Sequence, residues 1–171
     1  MELINDVAAW AWARHHNILS WYIRPLFLLP FCFFAYRRSL LGIVVTLVAL
    51  ATSMAWFPAP ANPGPAVVEM LDAERNYLFG PWNAAKVLAS LLIPATFTAL
   101  ALAFWRRSLV WGLVVINGAV LFKIGWTYAV SGAAGANAHL LPALAGLLLV
   151  NALIVVASRL VARRRSEARP A

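Results

Sequence analysis

Acidic charge is scarce in this chain. Six Asp and Glu stand against 14 Lys and Arg among 171 residues, and charged residues of all kinds make up 12%. A soluble domain averages about 25% charged and about 45–50% apolar. Here the apolar share is 63% and the mean hydropathy is +0.79. A domain of this length keeps too much surface for a water-soluble core to hide that apolar mass, which excludes a soluble enzyme and a disordered chain. Cysteine is nearly absent as well. Cys32 stands alone inside an apolar run, so an intramolecular disulfide, a CxxC redox pair and a thiolate metal site are all excluded. Nucleophile elbow, phosphate loop and zincin motifs are missing. No His or carboxylate recurs at ligand spacing within one helix. The sequence therefore assigns no catalytic residue, no metal ligand and no cofactor.

What is present is apolar sequence in span-length pieces. A bilayer-crossing helix needs about 20 mostly apolar residues. Five stretches qualify: 17–36, 39–57, 83–105, 108–130 and 138–160. The last two are separated by Ser131-Gly132-Ala133-Ala134-Gly135-Ala136-Asn137, whose turn-forming residues predict a break. The expected fold is an all-α integral membrane protein with five transmembrane helices, two similar hairpins plus one. Residues 1–16 form an outer interfacial segment, 17–160 the membrane domain, and 161–171 a basic tail. The residues before the first apolar stretch lack the positive n-region of a signal peptide, so that stretch is expected to be retained.

Arginine sets the orientation. Arg37-Arg38 fills the first connection, Arg106-Arg107 the third, and Arg163-Arg164-Arg165 follows the last span. Five spans place all three clusters on one side, which the positive-inside rule makes cytoplasmic. The N-terminus then lies outside and the C-terminus inside a bacterial-type cytoplasmic (inner) membrane. The net charge of +8 is accounted for by helix ends meeting anionic lipid, so no nucleic-acid partner is expected. Ala35-Tyr36-Arg37-Arg38-Ser39-Leu40 resembles Phe104-Trp105-Arg106-Arg107-Ser108-Leu109, and both continue into glycine and paired valines. The preceding spans hold Pro30 and Pro94. Either one hairpin was duplicated, or two tight turns converged on the same residues. Five spans and eight tryptophans resemble the tryptophan-rich sensory proteins in architecture. That family's Trp- and Pro-rich first outer loop would fall at the Arg37-Arg38 turn, so the resemblance ends there.

The loop between the second and third spans is organised. Pro58 to Pro65 is stiff and extended. Pro65 suits a first helical position, and Gly80-Pro81 a stop, giving a helix over 65–79. Val67, Val68, Leu71 and Leu78 can share one face, with Glu69, Asp72, Arg75 and Asn76 largely opposite. This predicts an amphipathic helix on the outer membrane surface. Residues 4–14, with Trp10 and Trp12, predict a second.

The candidate site is a set of cations in the outer part of the membrane. Counted along a helix from the nearest arginine turn, Arg24 stands about 20 Å up, Lys123 about 24 Å and Lys86 about 30 Å. A charge at mid-bilayer costs roughly 2.5–3.5 kcal/mol, so partners are expected. Glu69, Asp72 and Glu74 are the nearby acids. Arg24 and Lys123 either pair with these carboxylates and lock the loop down, or join Lys86 in a pocket for a lipid phosphate or an acidic metabolite. Asn117 and Asn151 fall near mid-bilayer on sequential antiparallel helices, where they bond each other or line a polar path. His15, His16 and His139 are expected at the outer face.

The expected role is a non-enzymatic binding or accessory protein presenting its outer face to a lipid, an anionic ligand or a protein partner. A small oligomeric transporter or channel is the alternative, and a lipid-headgroup enzyme a weaker one. Membrane lipids are the expected partners, with a membrane protein or a second copy of the chain as further candidates. The orientation has a direct test. In a Cys32→Ala background, single cysteines at Asn62 and Ala136 should react with an impermeant thiol reagent applied outside, and one at Ser166 should not. Labelling of Ser166 alone reverses the assignment.

Overall fold

The computed structural model describes residues 2–167, and within them every regular element is a helix. The elements are α1 (Glu2–His15), α2 (Leu19–Ile23), a 3-10 turn (Arg24–Phe27), α3 (Leu28–Tyr36), α4 (Leu40–Thr52), a 3-10 turn (Ser53–Ala55), α5 (Pro65–Phe79), α6 (Ala84–Trp105) and α7 (Leu109–Glu167). Four stretches are long and apolar enough to cross a membrane: Leu19–Tyr36, Lys86–Trp105, Leu109–Ala129 and Leu140–Leu160. Between 11% and 28% of each is buried within the protein. The rest of their apolar surface has no protein cover, so the chain is a membrane-embedded helical protein.

One expected span differs from the structure, and another changes helix type along its length. The second, expected over 39–57, is shorter. α4 and its 3-10 extension cover Leu40–Ala55, about 25 Å of rise against a hydrocarbon core of about 30 Å. Thr52 and Ser53 turn their hydroxyls back onto Val48 O and Leu50 O, and Pro58 follows. The first span is interrupted at Arg24, where Pro25 supplies no N–H for an α-helical bond and the chain tightens into a 3-10 turn. Gly146 packs against Pro25 so closely that any Cβ there would overlap the ring. The kink is therefore filled by the last stretch of α7.

α7 covers Leu109–Glu167, and its two span-length stretches, Leu109–Ala129 and Leu140–Leu160, stand on either side of the predicted break over 131–137. A straight helix would place Asn117 and Asn151 about 51 Å apart. Instead the Asn117 side-chain amide donates to Asn151 Oδ1 at 2.9 Å, and the Asn151 amide returns a bond to Asn117 Oδ1 at 3.3 Å. The two arms of α7 must therefore double back on each other. The side chains of residues 130–139, His139 among them, lie outside the described set, as do residues 168–171 of the basic tail.

The two Arg-Arg-Ser turns have one backbone. Ser39 N–H donates to Phe34 O and Arg38 N–H to Ala35 O, both at 2.9 Å. Ser108 N–H donates to Ala103 O at 2.9 Å and Arg107 N–H to Phe104 O at 2.8 Å. Each set is a Schellman closure. Ser39 and Ser108 then cap the next helix, accepting from Gly42 N and Trp111 N. The C′ position is left-handed, φ 57° at Arg38 and 58° at Arg107, a conformation that costs a non-glycine residue roughly 1–2 kcal/mol. Both hairpins also seat an aromatic ring on a glycine, Phe34 over Gly42 and Phe104 over Gly112, with no room for a Cβ. The ring-to-glycine register slips by one residue relative to the turns.

α3 and α6 lie side by side, with Phe31 and Phe97 edge to face at 5.2 Å. Arg38 Nε donates to Trp105 O at 3.3 Å, while the Arg107 guanidinium lies over the Tyr36 ring at 5.3 Å. Tyr36 and Trp105 are equivalent positions, as are Arg38 and Arg107. The two turns thus touch through equivalent positions, once by a hydrogen bond to a backbone carbonyl and once by a cation–π contact. The main core, including Phe31, Cys32, Ala35, Leu100, Phe104, Ile116 and Val150, gathers along this contact.

The reciprocal amide pair is the polar tie between the two arms of α7. Each Asn also donates back to its own helix, to Leu113 O and Leu147 O. Such bonds average about 0.6 kcal/mol in membrane proteins. Asn117→Leu and Asn151→Leu should be sub-additive in thermal unfolding, the double variant losing little more than either single one. Additive losses would show that the pair does not act together.

Candidate functional site

The end of the bundle away from the arginine turns is closed by α1, α2, α5 and the Ser53–Ala55 turn. A second, smaller core of Trp21, Val67, Met70 and Leu71, with Trp12 against it, joins them. On α5 the inward residues fall at i, i+3, i+4 and i+7: Val67, Met70, Leu71 and then Glu74. Glu74 is half-buried, whereas Glu69 and Asp72 are exposed on the opposite side. Leu78, expected on the apolar face, is 41% exposed.

Glu74 faces His15, the last residue of α1, which is 2% exposed. His15 Nε2 lies 3.6 Å from Glu74 Oε2, and His15 Nδ1 lies 3.4 Å from Arg24 Nη2. A guanidinium has only donors, so Nδ1 accepts from Arg24, and the proton of the neutral ring sits on Nε2, towards the carboxylate. The imidazole is held edge-on by Trp12 at 5.8 Å and Trp21 at 6.2 Å. The Trp21 indole donates to His15 O at 3.1 Å. Asn17 fixes the approach of α1, donating to Pro58 O and accepting from Leu19 N.

Lys123, on the first arm of α7, completes the group. Glu74 lies within electrostatic reach of both Arg24 and Lys123, and those two cations of each other. The set holds an arginine, a lysine, one carboxylate and an imidazole between them. Arg24 is half-buried and Lys123 exposed. Both ring nitrogens of His15 are engaged, so it positions the guanidinium and the carboxylate and offers no free atom of its own.

Lys86 stands elsewhere. It is 7% exposed, its ammonium donates to Gly80 O at 3.0 Å, and it lies 4.4 Å from the Trp82 ring centroid and 4.9 Å from that of Tyr77. Tyr77 OH donates to Lys86 O at 3.3 Å. Asn83 caps α6 by accepting from Lys86 N at 2.8 Å. This corner joins α5 to α6 beside a cavity of about 330 Å³ that Trp126 also lines. Of the six cluster residues expected from sequence, Arg24, Lys123 and Glu74 converge. Lys86, Glu69 and Asp72 do not. His15 was not among them. Its signal was the run Trp12, His15 and Trp21 flanking the Asn17 turn, which places a histidine between two aromatic anchors. Among the described residues, no group of three or more His, Cys, Asp or Glu is placed to hold a metal ion.

Comparison with protein-family models, curated proteins and solved structures finds no match. The chemistry of the cluster must carry the functional reading. A guanidinium offers a planar fork of donors and an ammonium a point charge, and the two together suit a phosphate or carboxylate. One acid cannot neutralise both.

The arrangement distinguishes the three loop acids. Glu74→Gln leaves Arg24 and Lys123 facing each other and should cost about 1–2 kcal/mol, less than the roughly 3–5 kcal/mol of breaking a fully buried pair. Adding Lys123→Gln should recover part of the loss. Glu69→Gln and Asp72→Asn should stay within about 0.5 kcal/mol of the parent in thermal unfolding, as exposed changes do. Equal losses at all three acids would contradict this geometry.

Proposed function

We propose that the protein is a five-span, N-out, C-in component of a bacterial-type cytoplasmic membrane, and that it acts as a non-enzymatic binding protein for an anionic ligand at its outer face. The fifth span is α4 with its 3-10 extension, whose missing length local bilayer thinning would accommodate. The interfacial helices are α1 and α5. The observation that carries the binding reading is the surplus of positive charge at Arg24 and Lys123 over Glu74, with Arg24 held in place by a buried histidine. A guanidinium kept half-buried beside a buried histidine and short of acid is a preformed anion receptor, because an arriving phosphate or carboxylate supplies the missing charge. The transporter reading has less support. The two mid-bilayer asparagines spend their side chains on each other and on their own helices rather than on a path.

Native mass spectrometry of protein released in mild detergent tests the proposal. The parent should carry a phosphate- or carboxylate-bearing molecule. Arg24→Gln should lose it, and Arg24→Lys should hold it roughly tenfold less well, since Lys cannot form the two-point contact. Retention of the same molecule by Arg24→Gln would refute the reading.

A further inference from the structure

The interlocked Arg-Arg-Ser turns hold a second concentration of charge, at the opposite end of the bundle from Arg24. Arg37, Arg38, Arg106 and Arg107 are all exposed. The turns touch through Arg38 on Trp105 O and Arg107 over Tyr36, so four guanidiniums share one patch. Residues 7–68 and 75–166 contain no Asp or Glu, so the helical stretches that adjoin the two turns hold no acid. Like charges gathered together repel. The backbone adds to the cost, since Arg38 and Arg107 occupy the left-handed position that glycine fills most easily. The same unfavourable choice is made in both turns. Interlocking alone does not call for it, because the contacts of Arg38 and Arg107 leave Arg37 and Arg106 unused.

We infer that the two turns together form a clamp for the phosphates of an anionic phospholipid. The turns close two hairpins of membrane-crossing helices, so they lie at the bilayer boundary, where lipid phosphates are concentrated. Exposed arginines there gain from anionic headgroups, and basic sites between membrane helices take up lipids with more than one phosphate. Two adjacent turns with two exposed arginines each offer one pair of guanidiniums to each of two phosphates, which matches a diphosphatidylglycerol headgroup better than a headgroup with a single phosphate. The fork geometry of arginine gives each phosphate two donors. The Arg38 contact to Trp105 uses Nε and does not spend the far edge of its guanidinium.

The test uses the full chain, stripped of lipid in detergent and titrated with diphosphatidylglycerol, phosphatidylglycerol or phosphatidylcholine, with native mass spectrometry as readout. The parent should bind them in that order. Arg37→Gln with Arg106→Gln removes guanidiniums that take no part in the interlock and should weaken diphosphatidylglycerol binding roughly thirtyfold. Arg38→Gly with Arg107→Gly should weaken it similarly, while the lipid-free melting temperature holds or rises because the left-handed strain is gone. Arg24→Gln, at the other end, should leave this binding unchanged, which separates the clamp from the outer-face site. Unaltered affinity in both double variants, no preference over phosphatidylcholine, or displacement of the lipid by equimolar inorganic phosphate would each overturn the inference.

Discussion

In a lipid environment each backbone N–H and C=O must find its partner inside the protein, because the solvent offers none. Helices meet that demand along their length and fail it at their ends. The two tight turns of this chain are built around that failure. A Schellman closure satisfies the last carbonyls of α3 and α6, and Ser39 and Ser108 satisfy the first amides of the helices that follow. The turns can therefore be short, the helices they join are forced antiparallel and adjacent, and Phe34 and Phe104 fall onto Gly42 and Gly112. Hairpin packing, the α3–α6 contact and the shared core all follow from how those four helix ends are finished.

The same economy operates at the other end with a different solution. There α5 cannot bury its inner face in lipid alone, because Glu74 interrupts it. The carboxylate finds His15, the histidine finds Arg24, and the resulting chain joins α1, α5 and the 3-10 turn that follows α2. Charge and packing support each other here. Trp12 and Trp21 fix the imidazole, and Trp21 belongs to the small core that α5 also completes. Lys86 is settled by separate means, a carbonyl and two aromatic faces, which is why it stands apart from the cations it resembles in sequence.

Much of this was legible in the residues. Apolar runs of span length identify the membrane class, and the Arg-Arg-Ser repeat locates the turns and their capping serines, because helix ends are decided by neighbours a few residues away. The depths of Asn117 and Asn151, counted from the arginines, place them at one level, and antiparallel neighbours at one level can meet. Three matters required the tertiary structure. Glu74 rather than Glu69 or Asp72 faces inward because α5 is rotated to bury Met70 along with Val67 and Leu71, and the choice of inner face depends on Trp12 and Trp21, far away in the chain. His15 becomes the centre of the charged group because the small core places it between Trp12 and Trp21, facing Glu74 and Arg24, and the Trp12–His15–Trp21 run hints at the aromatic anchors but not at the charged partners. The reversal of α7 falls between its two span-length stretches, at the polar stretch that marked it, but which side chains then meet depended on the packing of the two arms. Sequence determined what is local, namely which segments are helical, where they end and which residues cannot face lipid unpaired. Tertiary structure decided the partners, since a charge in an apolar setting binds whichever opposite group the packing brings within reach, and packing is set by contacts across the whole chain.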